Sequence, residues 1–498
     1  MNRLTSLGTA LTLGLAAAAV TMTAPVFAEN TWVDPFTVAL RAPAKSTDRF
    51  GDLPLGAVIR TDERYGTDNL FQGPRGWDYW NRLENPKPDQ NPNLWPDKRP
   101  TYLVAQMTMP AGSSITVHGK FPHARYFNVS LYKFERNTFV AVGDESLDGW
   151  DIEPNPGAGN PYRVGADRLV KNRDFTVHIL AEEVPKNIAE RATNTIYVGR
   201  DGQEVQLAVR VYLSDEGYDG MGWGPASSPA AELGFTYDGR LPDGTRLSTE
   251  ETAKRFGRPL GSAPALMTDD QWYALVDAKD SDPSLTPATA PARPNPVWER
   301  FWTIPYTLVG AFKPPEMRDK MRWEGAAGGG ANPLTVYLMT YLSRKYGPVY
   351  VLRGKLPTFP NTYKALPTLP KEQVIYWSVV SVGAAPSGEL WDGLYDMQLP
   401  IDQNGNYTIV MSRPEDRPKN ATRENGVAWM NWGPGEGLND PRDRADWGML
   451  IMRFIASDPN WANSPTKIAK PGTEEAVMGP YYPRGEYTDK ASFETARR

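Results

Sequence analysis

Cysteine is absent from the 498 residues, which excludes disulfides, thiol nucleophiles, thiolate metal sites, a lipid-modified cysteine and c-type haem attachment. Histidine is nearly absent, with three copies at His118, His123 and His178. Beyond the first residues no stretch reaches about 18 uninterrupted apolar residues, so no transmembrane helix is expected. Neither charge sign dominates. Lys and Arg number 54 against 59 Asp and Glu, and no basic block occurs, which argues against a nucleic-acid partner.

Turn-forming residues are plentiful. The 46 prolines and 44 glycines interrupt any long helix and suit a chain of short strands and turns. The N-terminus has its own character: a cation at Arg3, an apolar run from Leu7 to Val20, then Val26-Phe27-Ala28. This pattern predicts a signal peptide cleaved near Ala28, too short for a stable span, and a secreted or periplasmic protein. From 29 to 99 the chain is irregular. Trp32, Trp77, Trp80 and Trp95 lie among Asp, Asn and Pro, which predicts an arm wrapped on the first domain and pinned by its tryptophans, or disorder over 85–97.

The body of the chain repeats itself. Ser114-Ile115-Thr116-Val117-His118-Gly119-Lys120-Phe121-Pro122 has a counterpart in Pro348-Val349-Tyr350-Val351-Leu352-Arg353-Gly354-Lys355-Leu356-Pro357. Asp174-Phe175-Thr176-Val177-His178-Ile179 matches Asn406-Tyr407-Thr408-Ile409-Val410-Met411, and Leu207–Asp215 matches Leu450–Asp458. The offsets of 235, 232 and 243 residues between copies drift slightly, as loop insertions in a duplicated domain would make them. Short alternating strands present one apolar face each, which a second sheet must cover. The expectation is a mainly β protein: two tandem antiparallel β-sandwich or jelly-roll domains, at 100–245 and 333–468, joined by a short helical segment. The shared Gly-Lys pair reads as a strand end, with glycine permitting a bend, lysine guarding an edge and proline stopping the pairing.

The connector, 246–332, carries the helix signals. Ser248-Thr249-Glu250-Glu251 is a capping box opening a helix to Phe256, with Gly257 as its stop. Thr268-Asp269-Asp270-Gln271 predicts a second helix through about Lys279, and Pro314-Pro315 a third over Glu316 to Trp323. A Pro/Ala/Thr run over 284–296 separates these two. The tail, 469–498, reads as a strap held on the surface by aromatics.

Tyr126-Phe127-Asn128-Val129-Ser130-Leu131-Tyr132, Asn160-Pro161-Tyr162-Arg163-Val164-Gly165, Phe175–Ile179 and Leu207–Tyr212 together resemble the β-domain of a group of secreted bacterial proteins of unknown function. The resemblance covers each β-domain and implies a jelly-roll-like fold and an extracytoplasmic compartment. It implies no catalytic residues.

Candidate chemistry is sparse. His118 and His178 share the alternation parity of Thr116 and Thr176, so both can project from one sheet face, and with His123 they form a candidate divalent-metal set. No His-x-His or His-x-x-x-His spacing supports it, and solvated strand histidines explain the residues as well. No Gly-x-Ser-x-Gly occurs, the Ser-x-x-Lys matches Ser130–Lys133 and Ser464–Lys467 fall in a predicted strand and a proline-containing loop that do not activate serine, and no phosphate-binding glycine loop is present. Acidic loops at 144–151 and 440–446 place carboxylates near tryptophans, a composition suited to glycoside chemistry or to plain solvated turns. Aromatics gather in turn-rich stretches at 217–224, 390–395 and 428–433. The expected function is binding of a neutral small molecule or saccharide, with Trp150, Trp223, Trp391, Trp429 and Trp432 supplying flat rings and Arg125, Asp151 and Asp392 orienting the ligand. The same rings can instead plug the sandwich ends. The alternatives are a carboxylate-based hydrolase or lyase or a His-metal enzyme in the first domain, and a surface or assembly subunit. No cofactor is expected beyond that possible metal.

Overall fold

The computed structural model describes residues 95–496, apart from 136–137, 219–220, 226–233, 258–291, 314, 326, 329–330, 364–365, 384–389 and 434–446, together with 58–60, 70–72 and 78–79. The expected signal peptide, most of the expected arm, the expected helix at 268–279 and the acidic loop at 440–446 lie outside the described residues.

The chain is mainly β, of the β-sandwich class, and its strands fall into four large sheets. In the first half, β3 (Asp78–Tyr79), β4 (Thr101–Met107), β6 (Ala124–Glu135), β7 (Thr138–Asp148) and β10 (Val205–Ser214) form one sheet in the order β3-β4-β10-β6-β7. Facing it are β5 (Ser114–Lys120), β8 (Asp174–Leu180), β9 (Thr195–Tyr197), β11 (Phe235–Arg240) and β12 (Arg246–Leu247), in the order β12-β11-β5-β8-β9. The second half has β13 (Glu299–Arg300), β14 (Thr335–Ser343), β16 (Tyr376–Val382), β17 (Leu390–Tyr395) and β20 (Trp447–Ile455) in the order β13-β14-β20-β16-β17. Its partner sheet joins β15 (Val349–Lys355), β18 (Asn406–Ser412), β19 (Ala428–Asn431) and β21 (Arg484–Thr488) in the order β19-β18-β15-β21. The two remaining strands, β1 (Val58–Arg60) and β2 (Leu70–Gln72), pair with each other.

The halves share one pairing scheme. Both place the long late strand between the strands that correspond to β4 and β6, and both pair one short strand parallel, β9 on β8 and β19 on β18. The remaining pairs are antiparallel, as the alternating sequences require. Alternation shows where water lies. On β11 burial runs buried-exposed throughout, and Ile115, Val117, Phe175, Val177 and Tyr237 meet Leu103, Ala105, Leu131 and Leu207 from the facing sheet in one core. By contrast β16 and β20 are buried at every position and β10 at all but its last. These sheets are covered on both faces.

What covers them includes the other half. Tyr126 and Tyr212 pack with Tyr376, Tyr395 and Ile455. Arg125 meets Asp396 across this contact at 2.7 Å, both side chains fully buried. The Arg163–Arg168 loop docks on Pro367 and Leu369, where Gly165 N donates to Leu369 O and Arg168 N to Pro367 O.

Several expectations change here. The Gly-Lys strands are interior: β5 lies between β11 and β8, and β15 between β18 and β21, so the lysines guard no edge. Glycine has another cause. Gly119 pairs directly with Phe175 and Gly354 with Tyr407, and a Cβ would stand 2.4 Å from the Phe175 ring and 2.6 Å from the Tyr407 hydroxyl. The aromatic of the neighbouring strand lies over the space a side chain would fill. The expected strap at 469–498 supplies β21, and Trp95 from the expected arm packs on the second half, its Nε1 donating to Gly383 O. Helix α1 (Thr249–Phe256) has the expected capping box at Ser248 and Glu251, while the expected third helix is only α2 (Pro315–Arg318).

Candidate functional site

Few of the aromatics expected to bind ligand are available to do so. Trp432 is fully buried and Trp391 nearly so, its ring pressed on Gly433, where a Cβ would approach within 2.5 Å. Both belong to β17, β19 or their ends rather than to open loops. Trp429 is half-buried, its Nε1 bonded to Ser412 Oγ at 3.0 Å and its face covered by Arg417. Trp150 lies 5.6 Å from Tyr126 and backs the contact between the halves. Arg125 is consumed by Asp396. Asp392 is bound by Lys98 at 2.6 Å and by the Asn431 N–H at 2.8 Å, and Asp151 sits in an exposed turn after β7. Apart from Asp151, these rings and charges pack within or between the sandwiches, where a buried indole stabilises the fold by removing its apolar surface from water.

Trp223 is different. It lines an open groove of about 520 Å³ at the end of the first half's outer sheet. Three elements meet there: His118-Gly119-Lys120 closing β5, Asp174-Phe175 opening β8, and Phe235-Thr236 opening β11, with Asn155 reaching in from a turn. The indole is fixed from behind. Its Nε1 donates to Lys120 O at 2.7 Å, and its ring stands edge-on to Phe235 at 5.7 Å and to Phe127 at 6.5 Å. Gly234 makes this possible, since a Cβ there would fall 2.0 Å from the ring. Asn155 N donates to Asp174 O at 2.8 Å, which ties the turn to β8. The groove therefore offers one held aromatic ring, the Asn155 amide, a hydroxyl at Thr236, the Asp174 carboxylate and the Lys120 ammonium.

His118 is the second expected site residue in this groove. Its Nε2 lies 3.1 Å from Asp238 Oδ2, with both side chains about half exposed. His178 is on the same solvent side of the sheet, on β8, where it pairs with Thr116. His123 is elsewhere. Its ring stacks on Tyr218 at 4.0 Å, and burial, followed by the charges of Arg173 and Arg168, lowers its pKa to about 4. The three histidines do not converge into one inward-facing set, and no group of three His, Cys, Asp or Glu suited to a metal occurs among the described residues.

One group escaped the sequence reading except as part of an acidic stretch. Asp148 is buried between the halves, accepts from Tyr126 Oη at 2.5 Å, and is pushed up to about 7 chiefly by burial. Tyr126 in turn receives Asn332 Nδ2 of the second half at 3.3 Å. In the groove itself the sequence marks Lys120 only as an edge guard, and Asn155, Asp174 and Thr236 carry no site signal, because each is an ordinary strand-end or turn residue until three strands bring their ends together.

No family model matches this chain, and no curated protein matches it significantly. Among solved structures, an uncharacterized protein from Burkholderia cenocepacia aligns over 84% of this chain and 83% of its own, at 11% identity and a TM-score of 0.42. A protein from Vibrio parahaemolyticus aligns over 80% of this chain and 90% of its own, at 11% identity and a TM-score of 0.34.

Proposed function

We propose that this protein binds a neutral oligosaccharide in the groove at the ends of β5, β8 and β11. The observation that carries the reading is Trp223, an indole held rigidly by Gly234, Phe235 and the Lys120 carbonyl at the rim of a cavity lined with Asn155, Asp174 and Thr236. A sugar ring presents an apolar C–H face and a girdle of hydroxyls. The indole takes the first, and the amide, hydroxyl and carboxylate side chains take the second. Because the ring is already immobilised, stacking costs little ordering entropy. The signal-like segment from Met1 to Ala28 supports a secreted or periplasmic location, where such ligands are met. A mature chain beginning at Glu29 is the expected product, read by N-terminal sequencing.

The test is calorimetric titration with maltohexaose, cellohexaose, mannohexaose and chitohexaose. At least one is expected to bind, and Trp223→Ala is expected to weaken it about tenfold or more, equivalent to roughly 1.4 kcal/mol, with the native fold retained by circular dichroism at the titration temperature although melting falls with the lost packing against Phe127 and Phe235. Absence of binding by all four, or undiminished binding by the folded variant, refutes the reading.

A further inference from the structure

The first groove has a counterpart. Resting on the reading above, we propose that the second half carries a second oligosaccharide groove on the outer face of β15, β18 and β21, so that one chain holds two glycan strands on opposite sides.

The argument begins from position. In the first half His118 pairs cross-strand with Thr236 of β11 and forms its ion pair two residues further on, with Asp238. In the second half Arg353 pairs cross-strand with Arg484 of β21 and forms its ion pair two residues further on, with Glu486, at 2.6 Å. His118 and Arg353 each immediately precede the glycine that makes room for the neighbouring aromatic. At both places the sheet surface is hollowed, here into a cavity of about 420 Å³ lined by Arg353, Thr408, Asn425, Glu486, Thr488 and Ser492.

Chemistry points to the ligand class. Beside the apolar Val351, Val427, Phe493 and Ala496, four of the polar lining side chains are neutral hydroxyls or amides, and Arg353 is balanced by Glu486, so the cavity suits a neutral molecule with both apolar and hydroxyl faces better than an anion. It has no counterpart to Trp223: the rings that line it, Tyr487 and Phe493, are turned into packing, Tyr487 against Tyr350 at 5.3 Å and Phe493 within the apolar cluster around Val351. The second site is therefore the weaker one.

Topology sets the direction. The sheets that meet between the halves are those of β6 and β10 and of β16 and β20, through Tyr126, Tyr212, Tyr376 and Ile455. Each groove lies on the partner sheet, on the face turned away from the core that the two sheets enclose: His118, Lys120 and Thr236 in one half, Arg353, Thr408 and Glu486 in the other. The two grooves thus open away from the contact between halves, and a hexasaccharide in one leaves the other free.

Calorimetric titration of the full chain with the same four hexasaccharides tests this, using groove-filling variants on solvent-facing strand positions. The native protein is expected to take two equivalents of a binding sugar, the second about tenfold more weakly. Thr236→Trp removes the tight equivalent, Thr408→Trp removes the weak one, and the double variant binds none. Arg353→Ala, which opens only an exposed ion pair and leaves the fold intact, weakens the second equivalent alone and keeps the test valid if Thr408→Trp misfolds. A single equivalent in the native protein, insensitive to Thr408→Trp and Arg353→Ala, overturns the second groove while leaving the first standing. No binding at all overturns the oligosaccharide reading itself.

Discussion

Removing the cation at Arg125 should loosen the join between the halves. Its guanidinium donates to Asp396 at 2.7 Å with both side chains fully buried, and its Nε and second terminal nitrogen have no hydrogen-bond partner among the described residues. Asp396 also accepts from the Trp377 and Met397 N–H groups at 3.0 and 2.7 Å. Arg125→Met therefore leaves a buried carboxylate that has lost its charge partner but keeps its backbone donors. The expected loss is about 3–5 kcal/mol, the usual consequence of breaking a buried pair from one side. Arg125→Met with Asp396→Asn removes both charges while keeping an acceptor for the backbone, so the double variant should be more stable than Arg125→Met alone, with a coupling of roughly 2 kcal/mol or more. Burial raises the Asp396 pKa and Arg125 opposes that rise. With the arginine gone, the folded-state pKa rises further above the unfolded one, so Arg125→Met should recover stability as pH falls toward the unfolded carboxylate value near 4. Guanidinium unfolding followed by tryptophan fluorescence measures all three variants. A loss under about 1 kcal/mol for Arg125→Met, or additive single and double losses, would refute the claim that this pair ties the halves together.

Two further outcomes follow from the geometry. Asp148 titrates at about 7 in the fold because burial raises it; its contribution to stability is full below the unfolded value near 4 and is lost as pH rises through 7, so between pH 5 and 8 the native protein should lose about 2–3 kcal/mol relative to Asp148→Asn, read by denaturant titration at each pH. Gly234→Ala places a Cβ 2.0 Å from the Trp223 ring and should displace the indole, seen as a shifted tryptophan emission and a loss of sugar binding matching Trp223→Ala; unaltered emission and binding would show that the ring is not held there.

Much of the scaffold was legible. Period-two alternation in Phe175–Ile179 and its match at Tyr407–Met411 predicts strands in both places, and both form, as β8 and β18. The matched stretches Leu207–Asp215 and Leu450–Asp458 likewise fall on β10 and β20. The Ser248 capping box, a local hydrogen-bond pattern, marks α1 to the residue. The sequence placed the apolar face of Phe175, Val177 and Ile179 against a second sheet and put His118 and His178 on one face, and both hold; what it missed was which distant neighbour several residues meet. The Gly119-Lys120 pair suggested an edge, yet its strand is interior, and the glycine answers to Phe175, distant in the chain. Trp391, Trp429 and Trp432 suggested ligand loops, yet they lie on or beside strands whose neighbours cover them.

The sequence by itself determined the main strands and the capped helix α1, the recurrence of one strand pattern and the absence of cysteine chemistry, because alternation, capping and composition act over a few residues. Only the tertiary structure decided that Trp223 and His118 share a groove, that Arg125 and Asp396 bind the halves together, and that Asp148 is buried. Those outcomes depend on which strands pair and which faces pack, and no local pattern in the chain encodes the meeting of residues more than 100 positions apart.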